Sequence, residues 1–502
     1  MTILYVATNA NRLKAIEVNS DTGEFVRTVQ DIDPIVRSRK HQTPLTPGDI
    51  ENNNDHHNSP PSRIDTNNDK EKSFLFEWLT SHLNFGMPTT EWIERHPTFD
   101  SLLYVFTSFG SKRSAVVTTY RILGIGNNNG NNEDDSEKNK HIRGQLKKLG
   151  SVETQGLHVA HVAFSPDYST LSIKAKPPST LCVGHYLDGS LSFFDCSQDC
   201  ALGEPQKIVV LPEIRPETRR KTLPNPLPSI HHVTYNPRGR IPSSCNDSDD
   251  EGDSCNYLLV SETSKQGRVW TYNVDSIGLP ISSQPASFLK VTFITPPSGW
   301  FARLVTGSWV AGLADYRIRR CAVHPNGLYA YLLLEFNCVI QVYEIQPETG
   351  RISGDCLQEI PTIDPNKVIG LAVHGSAELH ATDTEIFVLN RGLNPFPTGS
   401  WAESDVRVFS IENNGAKLVP KTTIACAGRA CHFLALPRDQ SYPTQLFVGS
   451  DMGRQFENVE EQTSASIETF VRSNAEEAGG TFERVGIANV GMDRITCIAA
   501  LS

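Results

Sequence analysis

Four side chains of types suited to acid–base chemistry stand at the ends of short apolar segments of this sequence. They are His231, Arg319, Glu335 and Arg391. Arginine binds carboxylate and phosphate groups bidentately and keeps its charge when water is excluded. Histidine carries protons near neutral pH, and a glutamate can orient it or act as a second proton carrier. If the four converge, they predict chemistry on a small organic anion that needs neither metal nor cofactor.

Other polar residues interrupt segments of the same kind. Arg320, Glu378, His380 and His161 are predicted to bind the substrate, and Glu262, Arg429 and His432 fit the pattern less clearly. Each candidate also has a structural interpretation, because a lone histidine at a strand start is most often a hydrogen-bonded core or edge residue. A glutamate can likewise pair with an arginine, and an arginine beside a glycine can anchor a loop. Convergence at one opening is what favours catalysis.

Residues 316–343 indicate how such side chains are positioned. The run Arg319 to Val323 is short and apolar after two basic residues at its start. Residues 324–327 (HPNG) are predicted to form a turn, since proline fixes φ and Asn-Gly tolerates positive φ. Tyr329 to Leu334 and Val339 to Tyr343 are two further runs rich in apolar and aromatic residues. These features predict three β-strands, with Glu335 at the end of the second.

The same order of strand, turn, strand and strand recurs along the chain. Seven such units span 3–18, 102–120, 161–194, 231–272, 316–343, 377–409 and 431–470. One small antiparallel sheet cannot bury both of its faces, so these repeats predict a radial array of sheets. In such an array the innermost strands line a central channel, and polar residues near their ends are predicted to meet at its mouth.

The two ends of the chain complement each other. The first unit lacks a leading strand, whereas Met492 to Leu501 is a leading strand with nothing after it. Pairing them closes the ring and removes exposed edges. The sequence therefore predicts an all-β fold: a single domain over 1–502 that forms a seven-bladed β-propeller closed by its N- and C-terminal strands.

Composition restricts partners and location. Four polar segments, at 37–72, 127–140, 243–256 and 454–466, have too few apolar residues to order and are predicted to be disordered insertions. The formal net charge of -11 argues against a nucleic-acid partner. No stretch approaches the roughly 18 apolar residues of a membrane span, and no basic leader precedes the first strand. We therefore expect a cytoplasmic protein that does not bind membranes.

The sequence resembles the cycloisomerase/lactonase family of seven-bladed propellers, which includes fungal carboxy-cis,cis-muconate cyclase and propeller-type 6-phosphogluconolactonases. The segments that carry the resemblance are IHHVTYNP from Ile230, RCAVHPNGLYAYLLLE from Arg320, AELH from Ala377 and LNRG from Leu389. In the cyclase branch the site comprises a histidine, two arginines and a glutamate from successive blades. The resemblance implies that His231, Arg319, Glu335 and Arg391 are this set.

Three segments depart from the lactonase branch, and two of them are closer to the cyclase. Pro-Ser-Ile-His replaces Pro-His-Pro-His and Leu334 replaces an asparagine, and both changes resemble the cyclase. The run Ile318-Arg319-Arg320 stands where the lactonase branch has Pro-Arg-His. Because Arg320 is an additional basic residue, the substrate can differ in shape from those of both branches.

Three functions are compatible with these residues. The first is a cyclase-like enzyme that closes a lactone ring on a small di- or tricarboxylate, with Arg319 and Arg391 holding carboxylates and His231 and Glu335 carrying protons. The second is a hydrolase that opens a sugar lactone, with arginines on a phosphate and His231 or Glu335 activating water. The third is a propeller without catalysis that serves as a binding platform, since fold does not fix function. The reaction direction and the oligomeric state stay open at this point.

Overall fold

The computed structural model describes the β-structure of the chain and the turns that join it. It describes residues 2–9, 11–19, 25–34, 88–109, 113–124, 142–166, 178–212, 229–236, 256–263, 267–291, 317–335, 337–363, 373–393, 403–437, 443–452, 465–473, 480–491 and 495–501. The predicted insertions at 37–72 and 127–140 lie wholly outside these residues. Those at 243–256 and 454–466 lie outside them except for Asn256 and for Ala465 and Ser466, the last two of which begin a strand.

The described residues form seven four-stranded antiparallel sheets, each of which is one blade. Blade 1 contains β1 (Thr2–Thr8), β2 (Arg12–Val18), β3 (Phe25–Ile32) and β28 (Ile495–Leu501). Blade 2 contains β4 (Thr89–Arg95), β5 (Leu102–Ser108), β6 (Val116–Ile122) and β7 (Leu146–Glu153). Blade 3 contains β8 (Val159–Phe164), β9 (Thr180–His185), β10 (Ser190–Asp195) and β11 (Lys207–Val210).

Four blades follow in chain order. Blade 4 contains β12 (Ile230–Tyr235), β13 (Tyr257–Glu262), β14 (Arg268–Asn273) and β15 (Ser287–Lys290). Blade 5 contains β16 (Ile318–Val323), β17 (Tyr329–Leu334), β18 (Val339–Ile345) and β19 (Ile352–Pro361). Blade 6 contains β20 (Val373–Ala381), β21 (Glu385–Leu393), β22 (Asp405–Glu412) and β23 (Lys417–Ala425), with a 3₁₀ turn at Asn413–Gly415. Blade 7 contains β24 (Arg429–Ala435), β25 (Gln445–Met452), β26 (Ala465–Arg472) and β27 (Phe482–Gly491).

The burial of each strand follows from its place in the blade. The second strand of a blade is covered by neighbouring blades on both faces, so it reads as an almost continuous apolar run; β5 (LLYVFTS) is buried at every position. The fourth, outer strand faces solvent and carries many exposed residues, as in β11 (KIVV), where only Val209 is buried. Core residues therefore lie between adjacent blades. This explains why single-sheet alternation is weak in the most buried strands.

The ring is closed as the sequence predicts. β28 pairs antiparallel with β1 in a register that includes Ile3 with Leu501 and Ala7 with Cys497. Each of the seven units recognised in the sequence falls in one blade. The turn at 324–327 is also confirmed, since the Gly327 N–H donates to the His324 carbonyl at 2.8 Å and Gly327 has φ 76°. Among the described residues, no helix combines the length and apolar character that crossing a membrane requires.

The first strands of the blades form the inner ring of the molecule. Contacts between them run from β4 to β8, β12, β16, β20, β24 and β28 and back to β4. Each of these strands has a β-bulge where it pairs with the second strand of its blade. The register skips one residue in every case: Glu91, Ala160, His231, Arg319, Ala377, His432 and Thr496. A bulge leaves its extra residue out of the ladder and redirects its side chain. These seven equivalent positions of the inner strands are here called the bulge ring.

Candidate active site

The four predicted catalytic residues lie at one end of the channel. His231 and Arg319 belong to the bulge ring, on the neighbouring inner strands β12 and β16. Glu335 directly follows β17, and Arg391 lies near the end of β21, paired with Gly375. Because the first and second strands of a blade are antiparallel, the start of the first and the end of the second share an edge of the sheet. Blades 4, 5 and 6 thus deliver these residues to the same mouth.

Side-chain contacts join the four residues into one network. Arg319 Nη1 donates to His231 Nε2 at 2.6 Å, and its Nε donates to the Ala377 carbonyl at 3.2 Å. Arg391 Nη2 donates to Glu335 Oε1 at 2.7 Å. The same carboxylate oxygen lies 3.7 Å from Arg319 Nη1. One carboxylate therefore serves two guanidinium groups, and the predicted convergence is present.

Arg320 and Glu378 lie one residue further along their strands than the bulge ring. Their side chains are 3% and 4% exposed and form a bidentate ion pair, in which Arg320 Nε donates to Glu378 Oε2 at 2.6 Å and Nη2 donates to Oε1. Arg320 Nη1 also donates to the His231 carbonyl at 3.2 Å and lies 3.2 Å from His231 Nδ1. Arg320 thus contacts both the backbone and the ring of His231, and its charge is neutralised by Glu378.

The two other predicted substrate-binding residues belong to a group of histidines deeper in the channel. The His161 ring packs against His232 with centroids 3.7 Å apart and against Trp92 at 4.6 Å. The Arg320 guanidinium lies 5.5 Å from the centre of the Trp92 ring. His380 Nε2 bonds to the Leu434 carbonyl at 2.8 Å. These aromatic side chains fill the channel beneath the mouth.

Electrostatics keep Glu335 ionised. Burial raises the pKa of this carboxyl, but Arg319 and Arg391 together outweigh burial and bring the pKa below its ordinary value. Burial, partly offset by Glu335, lowers the pKa of Arg319 to about 10, so this side chain is still a cation at neutral pH. Glu335 is therefore a carboxylate between two cations and does not donate a proton.

The channel histidines are held in the neutral form. Burial lowers the pKa of His231 well below its ordinary value, and the charges of Arg319 and Arg320 lower it further. Burial is also the main cause that lowers the pKa values of His161, His232 and His380. Since Arg319 donates to Nε2, that nitrogen of His231 is the better placed to carry the lone pair of the neutral ring.

The three less clear candidates, His432, Glu262 and Arg429, lie in different surroundings. His432 belongs to the bulge ring, and its Nδ1 lies 3.1 Å from Arg391 Nη1, so it is part of the network. Glu262 is fully buried within blade 4 and accepts the Trp270 indole N–H at 2.8 Å, which is a structural contact. The backbone of Arg429 lies in β24, and its side chain falls outside the described atoms.

Sequence reasoning missed the opposite wall of the mouth. Glu91 occupies the bulge of β4, and its Oε1 lies 3.5 Å from His158 Nε2. The Tyr186 ring stands between His158 and His231, with its centroid 6.0 Å from each of the two imidazoles. The segment TTEWIER (89–95) forms the inner strand β4, but its charged residues obscure the apolar pattern by which a strand is recognised in the sequence.

One set of side chains in the described part of the chain has the composition of a metal site. It contains Cys426, Cys431 and Glu468, whose ligand atoms lie within 4.8 Å of one another. Glu468 already accepts the N–H groups of Ala427 and Gly428 at 2.9 and 2.8 Å. A hydrogen bond with Cys431 and burial raise the pKa of the Cys426 thiol. These contacts describe a hydrogen-bonded thiol cluster whose carboxylate is occupied.

Comparison with known proteins agrees with the fold. Residues 318–449 match the family described as "Lactonase, 7-bladed beta-propeller". The chain resembles this family. The matched segment runs from β16 into β25 and contains Arg319, Glu335 and Arg391. No curated protein matches the sequence.

Several solved structures share the architecture. The periplasmic gluconolactonase of Pseudomonas aeruginosa has a TM-score of 0.56 and 14% identity, covering 100% of this chain and 99% of its own. A candidate 6-phosphogluconolactonase of Bacteroides fragilis has a TM-score of 0.54 and 14% identity, covering 100% and 98%. Identity at this level establishes the fold alone. The sequence-based resemblance to the lactonase propellers is thereby confirmed, whereas the fungal muconate cyclase as nearest relative stays a prediction.

Proposed function

We propose that the protein is an enzyme that hydrolyses the lactone of a small, anion-bearing substrate at the mouth of the channel. The observation that carries this proposal is the sharing of Glu335 between Arg319 and Arg391, with His231 hydrogen-bonded to Arg319. The resemblance to lactonase propellers supports the reaction class. The carboxylate-bearing and phosphate-bearing lactones are the substrates whose charge fits this site.

The charge balance around Glu335 favours an anion. Arg319, Arg320 and Arg391 carry three positive charges against the two negative charges of Glu335 and Glu378, and the charge of Arg317 also acts on Glu335, so positive charge is in excess. Two unit charges about 4 Å apart interact by about 4 kcal/mol at the effective dielectric constant typical of a protein surface. Loss of hydration offsets part of this attraction. In a chain of net charge -11, such a site focuses anions at one place.

Binding of the anion would also prepare the catalytic base. Arg319 Nη1 donates a hydrogen bond to the lone pair of His231 Nε2. A substrate anion that engages the guanidinium N–H groups competes for this donor and offsets the charge that lowers the pKa of His231. His231 can then accept a proton from an attacking water molecule, while Glu335 keeps the two guanidiniums in place.

The bond changes are those of ester hydrolysis. The water oxygen bonds to the lactone carbonyl carbon, and its proton passes to His231 Nε2. The carbonyl electrons move onto oxygen, where Arg319 stabilises the negative charge that develops. The ring C–O bond then breaks, and the departing oxygen takes up a proton to give the hydroxy acid.

A second candidate reaction is lactone formation by addition of a substrate carboxylate to a conjugated double bond. The sequence features that favour it are Leu334 and the Pro-Ser-Ile-His segment ending at His231, both of which depart from the lactonase branch and resemble the cyclase. It uses the same two guanidiniums on carboxylates and requires delivery of a proton to carbon.

A substrate panel separates these reactions. Purified protein is incubated with 6-phosphogluconolactone in a pH-stat, with a buffer blank for spontaneous hydrolysis, and with carboxymuconate followed by ultraviolet absorbance. We expect acid release above the blank with the phosphorylated lactone, and its loss in His231→Asn. Turnover of carboxymuconate alone would replace the hydrolase with the cyclase, and turnover of neither substrate would favour a binding platform.

A further inference from the structure

Glu91 is placed in the bulge ring in the same way as His231 and Arg319, but on the opposite wall. In the inner ring, β4 contacts β8 on one side and β28 on the other. The third strand from β4 is β16 in the first direction and β20 in the second. Glu91 therefore faces the position of Arg319 across the mouth. Its neighbours in the bulge ring are Ala160 and Thr496, both of which have short side chains.

The Glu91 carboxyl is partly buried and contacts a histidine. The side chain is 17% exposed, and Oε1 lies 3.5 Å from His158 Nε2. His158 stands just before β8 with φ 64°, a left-handed conformation that is uncommon for a residue other than glycine. Its carbonyl accepts the Tyr186 N–H at 2.7 Å, and its Nδ1 is buried without a hydrogen-bond partner among the described residues. A strained, incompletely hydrogen-bonded histidine at a channel mouth is typical of a functional site.

The proposed hydrolysis needs a proton donor for the ring oxygen, and Glu91 can supply that proton. The ring oxygen of a lactone leaves as an alkoxide unless it receives a proton. Glu335 is ionised between Arg319 and Arg391, and His231 is neutral until it takes the proton of the attacking water, so neither group holds a proton for the ring oxygen before the attack. Burial raises the pKa of Glu91, and the nearby His158 lowers it in part. The carboxyl is thereby shifted towards its protonated form, unlike Glu335.

We propose that Glu91 is the general acid that protonates the departing ring oxygen of a lactone whose anionic group is held by Arg319 and Arg391. This inference rests on the proposed hydrolase function. As the ring C–O bond breaks, its electron pair goes to the ring oxygen, and the Glu91 proton is transferred to that oxygen. Glu91 becomes a carboxylate that His158 holds, and it takes a proton from solvent after product release. His231 returns the proton of the attacking water to solvent, so lactone and water give the hydroxy acid.

The test compares Glu91→Gln with Glu94→Gln on 6-phosphogluconolactone. Glu94 is a matched control on the same strand, three residues further from the mouth, where it accepts the Trp92 indole N–H at 3.3 Å. Loss of a general acid reduces kcat by about 10²–10⁴-fold, so we expect a decrease in this range for Glu91→Gln, with an unchanged KM and an unchanged melting temperature. Glu94→Gln is expected to retain the wild-type kcat.

A second substrate isolates the proton transfer. The 4-nitrophenyl monoester of a small dicarboxylic acid carries an anion, and its phenolate leaves without protonation. Glu91→Gln is expected to cleave this ester at the wild-type rate. An equal loss on ester and lactone, or a wild-type kcat on the lactone, would overturn the role of Glu91 while leaving the hydrolase function intact. A wild-type protein that hydrolyses neither substrate would instead refute the function itself.

Discussion

The ion pair between Glu335 and Arg391 can be tested by a double-mutant cycle with nearly isosteric substitutions. Glu335→Gln leaves Arg391, which is 3% exposed, without its carboxylate at 2.7 Å. Arg391→Met leaves the carboxylate with Arg319 at 3.7 Å as its remaining partner. Removing one member of a buried ion pair costs about 3–5 kcal/mol of unfolding free energy. Because Glu335 retains a second arginine and the mouth admits some solvent, we expect each single substitution to cost about 3 kcal/mol, at the lower end of that range.

The double variant removes both charges of this pair and leaves Arg319 without its carboxylate. We expect it to cost about 3–4 kcal/mol, well below the sum of the single costs, so that the coupling energy is about 2–3 kcal/mol. Urea unfolding followed by tryptophan fluorescence at pH 7 measures all four free energies. Additive costs, with a coupling below about 0.5 kcal/mol, would show that the two side chains do not interact in solution and would refute the geometry of the site.

The same ion pair predicts the direction of a pH effect. The folded-state pKa of Glu335 is lowered, so its contribution to stability is present above the unfolded-state pKa, about 4.3, and is lost as the pH falls through the folded-state value. The difference in unfolding free energy between wild type and Glu335→Gln should therefore be constant from pH 7 to pH 5 and decrease below that. A difference that grows on acidification would contradict an ionised Glu335.

Two further predictions concern the residues beneath the mouth. Glu378→Gln leaves the buried Arg320 without a counter-charge, so it should lower the melting temperature and kcat while KM for the anionic lactone stays close to that of the wild type. A raised KM alone would instead favour direct substrate binding by Glu378. Since burial lowers the folded-state pKa of His232, the unfolded chain binds more protons below about pH 6.5, and stability should fall as the pH decreases from 6.5 to 5. This decline should be smaller in His232→Gln, and an equal decline in both proteins would contradict a neutral buried imidazole.

The sequence was sufficient for the fold because the repeat is periodic and its ends are complementary. The pattern of Tyr329 to Leu334 recurs in other blades, and Met492 to Leu501 supplies the missing strand of the first blade. The strand register of Ile3 with Leu501 agrees with that interpretation. Convergence of the catalytic candidates follows from the same logic, since residues at equivalent places in a propeller meet at one end of its channel.

The detailed role of each residue could not be predicted, because it depends on the bulge. Arg319 and Arg320 are adjacent in sequence, yet Arg319 belongs to the bulge ring and Arg320 pairs with Glu378 beneath it. A shift of one residue reverses the face of a strand on which a side chain lies, and the bulge position leaves no clear sequence signal. Glu91 was missed for a related reason: Glu91, Glu94 and Arg95 obscure the apolar pattern of β4.

The central claim is that the paired guanidiniums at the mouth bind the anion of a lactone substrate. The most direct measurement is kcat/KM for 6-phosphogluconolactone relative to uncharged gluconolactone, in the wild type and in Arg391→Met. An attraction of up to about 4 kcal/mol, reduced by loss of hydration, predicts a wild-type preference for the phosphorylated lactone of about 10–10³-fold. Arg391→Met removes one guanidinium and leaves Glu335 paired with Arg319, so this variant is predicted to lose most of the preference. Equal rates on the two lactones in the wild type, or a preference that survives in Arg391→Met, would contradict the account.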